Sequence, residues 1–184
     1  MGMVLFLLSL GMVFGATIIA YVVVRLQLVA ANDWKPEGSP SLSWLLLLST
    51  FLLLCSSFSI HTAVRSARRG FPGRLVGRWM SVACVLALAF LASQIVVWID
   101  LARANLIFDE SLYAWTFYLL TGLHALHVLC GLPPLALTTR NAWRGHYGAD
   151  AVSRSGLGHC AAYWHFLDGV WVVLLLVLVW GTRG

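Results

Sequence analysis

Residues 79–99 read WMSVACVLALAFLASQIVVWI, closed by Arg78 at one end and Asp100 at the other. No position in this stretch is charged, and its hydroxyl and amide side chains are limited to Ser81, Ser93 and Gln94. A helix that crosses the roughly 30 Å hydrocarbon core of a bilayer needs about 20 such residues. The stretch therefore reads as a spanning helix, and four more runs of the chain read the same way. They predict helices over about residues 3–27, 42–64, 79–99, 112–138 and 159–181. The expected fold class is all-α: an integral membrane bundle of five transmembrane helices, with residues 1–184 forming a single membrane domain.

Composition supports this reading. Of the 184 residues, 60% are hydrophobic and 10% charged, against roughly 45–50% and 25% in soluble domains. Disorder is excluded, because it needs low hydrophobicity and high net charge. The loops between the runs are too short to hold a large soluble domain. The first run lacks a charged leading region and exceeds the length of a signal core, so it reads as a retained helix. The net charge of +5 is accounted for by the cytoplasmic loops of a membrane protein, and no nucleic-acid partner is expected. Cys55, Cys84, Cys130 and Cys160 lie singly in apolar runs without a CxxC pair. They read as small packing residues, not as a disulfide framework or zinc site.

Charge sets the expected orientation. Arg65, Arg68, Arg69, Arg74 and Arg78 follow the second run, and Arg140, Arg144 and Arg154 follow the fourth. Lys35 and Arg103 are the cations of the first and third loops. The positive-inside rule puts the second and fourth loops, and with them the N-terminus, in the cytoplasm and the C-terminus outside. Trp44, Trp79, Trp98, Trp115, Trp143 and Trp180 fall near helix ends, where the interfacial aromatic belt is expected.

Ionisable residues at bilayer depth are costly and are candidate functional residues. His124 and His127 share one face of the fourth helix, and His165 and Asp168 share one face of the fifth. At 1.5 Å per residue, His124 comes out level with Asp168, and His127 with His165. This predicts an interhelical His/Asp hydrogen-bonded network, joined from the third helix by the lone amide of Gln94. Three readings compete for it: a network that fixes packing, a haem or metal site, and a proton relay or headgroup contact. The histidine pair shares one face and has no opposing pair, which counts against haem. The first three helices offer almost no titratable groups, which counts against a complete relay.

Other signals are weaker. The Gly11/Gly15 pair permits close helix approach, and Pro133-Pro134 loosens the fourth helix by freeing carbonyls four residues back. Ser56, Ser57 and Ser59 crowd the inner end of the second helix. The arginine cluster reads first as a topology signal. The sharper alternative is a set of anionic-lipid contacts from Arg65, Arg68, Arg69 and His61. No nucleophile–base pair, glycine-rich phosphate loop or metal motif is visible, so neither a catalytic nor a metal-binding residue is assigned.

The run Tyr163-Trp164-His165-Phe166-Leu167-Asp168-Gly169-Val170-Trp171 resembles the last-helix signature of subunit III of haem-copper terminal oxidases, Tyr-Trp-His-Phe-Val-Asp followed by Trp. Thr121-Gly122-Leu123-His124-Ala125-Leu126-His127-Val128, with Gly131 beyond it, is similar to the preceding helix of that family. Thr50 with Leu52, Leu53, Leu54 and Ser56 resembles a run on its second helix, and the five-helix length is like the bacterial short form. The resemblance implies an accessory subunit that binds no haem or copper itself. It would pack beside subunit I, which carries those cofactors, and subunit II, hold structural phospholipids, and support proton uptake in a bacterial plasma membrane. The chain departs from the family pattern at two places: Leu10 and Val97 stand where buried carboxylates are usual. That favours structural support over a proton-antenna role. A quinol oxidase or nitric-oxide-reductase relative is the near alternative. A self-contained membrane haem protein or small transporter is the alternative from another class.

Overall fold

The computed structural model describes residues 2–30, 44–103, 112–147 and 156–181. Lys35 and Arg154, used above as charge markers, lie outside the described residues, as do residues 42 and 43 at the start of the second run. The described residues form five helices and no strand: α1 (Gly2–Ala30), α2 (Trp44–Arg68), α3 (Gly73–Arg103), α4 (Leu112–Trp143) and α5 (Gly156–Gly181). All five are long and apolar enough to cross a membrane. Several continue past the apolar runs that mark them. α3 starts at Gly73, directly after Pro72, and carries Arg74 and Arg78 within the helix. α4 runs unbroken through Pro133 and Pro134 to Trp143.

The ends of α2 and α4 are built alike. Gly70 has φ of 70° and Gly145 of 73°, the left-handed conformation that glycine adopts at lowest cost. Gly70 donates to the Ala67 carbonyl and Phe71 to that of Ser66; Gly145 donates to Ala142 and His146 to Asn141. Each is a Schellman cap, which satisfies carbonyls that would otherwise be orphaned at the helix end. Arg65 and Arg68 close α2 and Arg140 closes α4, where cations complement the helix dipole.

Helices α2, α3, α4 and α5 form a closed ring, α2 against α3, α3 against α4, α4 against α5 and α5 against α2. Among the described residues, α1 stands outside the ring and touches α4 and α5 alone. The C-terminal end of α4 meets the N-terminal end of α3. A Cβ on Gly73 would lie 2.7 Å from the Ala142 carbonyl oxygen, and one on Gly77 would lie 2.8 Å from the Trp143 ring. Trp143 Nε1 also donates to Ser81 Oγ at 3.1 Å. α1 runs parallel to α5, with Phe6 stacked on Tyr163 and the Arg25 guanidinium 3.5 Å above the Trp180 ring. Both arginine-bearing helix ends and the start of α1 therefore lie at one end of the molecule.

The ring interior is filled by Leu53, Ile60, Met80, Ala83, Phe90, Leu120, Val128, Trp164, Leu167 and Trp171. α1 contributes a single buried stripe, Leu10, Phe14 and Tyr21, with Arg25 one turn further. Its other faces expose Val4, Leu5, Leu8, Met12, Ile19 and Val23, as a lipid-facing helix does.

Candidate functional site

The polar interior begins with α5. Trp164, Asp168 and Trp171 follow one another at i, i+4 and i+7, and all three are buried. An indole buried in hydrocarbon needs an acceptor for its N–H, and α2 supplies both. Trp164 Nε1 donates to Ser56 Oγ at 3.0 Å, and Ser56 Oγ donates onward to the Ala83 carbonyl of α3 at 3.2 Å. Trp171 Nε1 donates to Thr50 Oγ1 at 2.9 Å, and that hydroxyl bonds the Leu46 carbonyl at 2.7 Å. Two hydrogen-bonded chains thus lead out of α5, one crossing α2 into α3.

Between the two indoles, Ser57 Oγ lies 2.6 Å from His165 Nδ1. Asp168 approaches the same ring nitrogen, with Oδ2 at 3.9 Å. Serine and carboxylate both address Nδ1, so this is not a nucleophile–base–orienter relay, in which they would sit on opposite ring nitrogens. Neither Asp168 oxygen has a direct hydrogen-bond partner among the described residues. Phe166, next to His165, faces α1, where a Cβ on Gly11 would lie 3.7 Å from its ring.

The α4 histidines occupy a different environment. His124 is fully buried, and neither ring nitrogen has a hydrogen-bond partner among the described residues. Its ring lies 4.9 Å from that of Trp171, 5.8 Å from Phe90 and 6.2 Å from Phe14. His127 sits 5.0 Å from Phe14, and its Nδ1 is 2.7 Å from the Leu123 carbonyl of its own helix. Tyr163 of α5 donates to the His127 backbone carbonyl at 2.8 Å. That contact needs Gly131, whose Cβ would stand 2.8 Å from Tyr163 Cε1 and 3.0 Å from Trp164 Cζ3. Gly122 has no such neighbour within 4 Å.

The structure therefore divides the anticipated seam in two. His165 and Asp168 turn to α2, whereas His124 and His127 turn to aromatic rings of α1, α3 and α5. No hydrogen bond links the pairs among the described residues. Gln94 is buried with neither amide atom paired among the described residues, in place of the interhelical bond expected of it. Thr121, not Gln94, joins α4 to α3, by accepting from Trp98 Nε1 at 3.1 Å. Sequence reasoning missed the acceptors on α2. The available signal was the row Thr50, Ser56 and Ser57, set opposite two tryptophans that needed acceptors. Leu10 and Val97, where the resemblance leads one to expect carboxylates, are both buried, 7% and 0% exposed.

A surface cleft of about 570 Å³ lies between α1, α4 and α5 and is lined mostly by apolar groups that include Met3, Phe6, Pro134, Leu137 and Tyr163. Another, of about 440 Å³, lies between α2 and α5; His61, Arg65, Arg68 and His165 line it. Arg69 is exposed beyond the end of α2 and does not line that cleft. Among the described residues, no three His, Cys, Asp or Glu side chains converge as a metal site requires.

A five-helix membrane bundle, closed by indole-to-hydroxyl hydrogen bonds around a buried histidine and a buried carboxylate, is the class this fold and interior define: a multi-pass membrane protein. The comparisons narrow the class. The family model for cytochrome c oxidase subunit III matches residues 1–182. Cytochrome c oxidase subunit 3 of Synechocystis sp. is 34% identical, over 96% of this chain and 73% of the relative. The protein of the same name from Thermostichus vulcanus is 29% identical over 100% of this chain and 87% of its own length. That from Corynebacterium diphtheriae is 28% identical over 96% and 85%. The chain belongs to the cytochrome c oxidase subunit III family.

Proposed function

We propose that the chain is the accessory, non-catalytic subunit III of a proton-pumping respiratory terminal oxidase in a bacterial plasma membrane. Haem and copper belong to the catalytic subunit I in this reading, and subunit II completes the partner set. The observation that carries it is how the signature residues are used. Tyr163, Trp164, His165 and Trp171 each spend a polar atom on a neighbouring helix. They hold α5 in place.

Support of proton uptake is then indirect: the bundle shapes and seals the surroundings of subunit I. Leu10 and Val97 favour this over a carboxylate antenna, because both sites are packed with hydrocarbon. Phospholipid tails suit the apolar cleft between α1, α4 and α5, where exposed methylenes and aromatic rings offer acyl chains their best contacts. The N-terminus faces the cytoplasm and the C-terminus the outside, since the arginine-bearing ends share one end of the bundle.

A tagged chain, expressed in its native membrane and purified in mild detergent, tests the assignment. Recovery of a large haem-copper subunit with haem absorbance is the expected result. Recovery of a lone, colourless chain refutes it.

A further inference from the structure

The pair Pro133-Pro134 does more to α4 than one proline would. A helical carbonyl takes its hydrogen bond from the N–H four residues on, or three on where the turn tightens. For the Cys130 carbonyl those two positions are Pro134 and Pro133, and proline has no N–H. The carbonyl loses both donors, although α4 runs unbroken through the pair. The hydroxyls around it are engaged elsewhere. Thr138 donates to the carbonyls of Pro134 and Leu135, and Tyr163 donates to that of His127. Cys130 lies about 20 Å along the axis from Trp143, which ends α4. This acceptor therefore sits within the hydrocarbon, where a backbone group must find a donor other than bulk water.

Cys130 and Pro134 both line the cleft of about 570 Å³ between α1, α4 and α5. Helix carbonyls point toward the C-terminal end, so the Cys130 oxygen lies along the stripe that joins these two residues, on the wall of the cleft. Phe6 and Tyr163, stacked with ring centroids 6.0 Å apart, line it as well and give it an aromatic wall. His159 of α5 is a further lining residue. Thr138 meets both Gly156 and Cys160 of α5, so His159, between those two, comes level with Thr138. That is about 12 Å along the axis from Cys130, and the Cys130 carbonyl points toward it. Among the described residues, no arginine or lysine lines this cleft.

The donor that the Cys130 carbonyl requires must therefore arrive on an apolar, uncharged body. An acyl tail matches the walls and brings no donor. A phosphate head brings a charge that no lining cation balances. A hydroquinone with an apolar tail meets both conditions. Its ring is flat and aromatic, as the Phe6–Tyr163 wall favours. Its hydroxyls stand at opposite corners, and with a hydrogen bond of about 2.8 Å at each end they reach from the carbonyl to the imidazole. Its tail leaves through the open side of the cleft into lipid.

We propose that the α1–α4–α5 cleft binds one long-chain hydroquinone, one hydroxyl donating to the Cys130 carbonyl and the opposite hydroxyl pairing with the His159 imidazole. Every group invoked belongs to this chain, so the site does not depend on which subunits accompany it. Binding alone is assigned, with no electron transfer.

The test uses the full chain, purified in mild detergent with whatever subunits accompany it, and titrated with decylubiquinol kept reduced under argon. Rapid size exclusion removes free ligand, and liquid chromatography counts the hydroquinone retained per chain. Pro134→Ala is the deciding variant, because it returns an N–H to the Cys130 carbonyl. It is expected to weaken binding about fivefold, as loss of one neutral hydrogen bond implies, while the heat midpoint of the chain holds or rises. His159→Leu leaves α4 untouched and is expected to weaken binding by a similar factor, which covers the case in which Pro134→Ala disturbs the helix. The dimethyl ether of decylubiquinol keeps the ring and tail without an O–H, and should bind at least fivefold more weakly than the hydroquinone. Hydroquinone bound by other subunits is untouched by either variant, so the difference between wild type and variant counts this cleft. Equal binding by wild type, Pro134→Ala and His159→Leu overturns the proposal. So does equal binding of the hydroquinone and its ether, or phospholipid in the cleft that the hydroquinone does not displace.

Discussion

Gly131→Ala isolates the contact on which the α4–α5 seam depends. A Cβ there would lie 2.8 Å from Tyr163 Cε1 and 3.0 Å from Trp164 Cζ3, whereas carbon atoms at rest sit about 3.5–4.0 Å apart. Tyr163 must retreat by roughly 0.7 Å, and Trp164, buried and bonded to Ser56, cannot follow freely. Overpacking of this kind costs about 1–3 kcal/mol. Weakening the 2.8 Å bond from Tyr163 to the His127 carbonyl adds about 0.6 kcal/mol, the mean for interhelical bonds in membranes. The better helix propensity of alanine returns up to about 1 kcal/mol. With the alanine gain taken in full, the net is a loss of about 0.6–2.6 kcal/mol. At about 2–4 °C per kcal/mol for a chain of this size, the midpoint falls by roughly 1–10 °C. The assay is retention of this chain in the purified complex after graded heating, resolved by size-exclusion chromatography. Gly122→Ala is the internal control, because its Cβ meets nothing within 4 Å and its midpoint should hold or rise. Equal behaviour of the two variants would refute the steric account.

Three further outcomes are expected. Asp168→Leu should reduce the yield of assembled complex more than turnover per assembled complex, with Asp168→Asn close to wild type in yield; normal assembly with proton uptake abolished would show a relay instead, measured as oxidase activity and proton uptake per haem. Trp171→Phe keeps the ring against Phe90 and His124 but loses the Thr50 bond, at a cost of about 0.5–1.5 kcal/mol, while Trp171→Ala should cost about 3–5 kcal/mol; heated-complex retention ranks them, and equal losses would show that the hydrogen bond and not the ring matters. A C-terminal alkaline phosphatase fusion should be active and a C-terminal green fluorescent protein fusion dark, because the proposed topology puts the C-terminus outside; the reverse pattern would invert the topology.

The helices were legible because hydrocarbon imposes a length requirement that composition alone reveals. Their partners were not. Counting residues along a helix gives depth, so placing His124 level with Asp168 is within reach of the sequence. The direction in which each side chain points depends on which neighbour stands there, and no count supplies that. Asp168 lies on a stripe between Trp164 and Trp171, both turned to α2, so it turns with them. His124 meets the ring of Trp171 and the edge of Phe90, not the carboxylate. The i,i+3 spacing of His165 and Asp168 was informative in its own right, since both approach the same part of α2. The family likeness identified Tyr163, Trp164 and Trp171 as a signature; only their acceptors explain why those three residue types stand there. The arginine cluster divides in the same way. Helical periodicity puts His61, Arg65 and Arg68 on one stripe, and Arg69 turns away from it.

The position of α1 bears on how the protein is made. Within this chain α1 is synthesised before every helix it touches, and α4 begins 82 positions after α1 ends. The ring α2–α5 closes through neighbours largely consecutive in sequence, so it assembles from short-range contacts. α1 must wait in the bilayer, its stripe of Leu10, Phe14 and Tyr21 open, until α4 and α5 arrive. Long-range contacts of this kind form slowly and leave the waiting surface exposed to wrong partners. Biogenesis is therefore most vulnerable at α1, which is inserted well before the helices that house it.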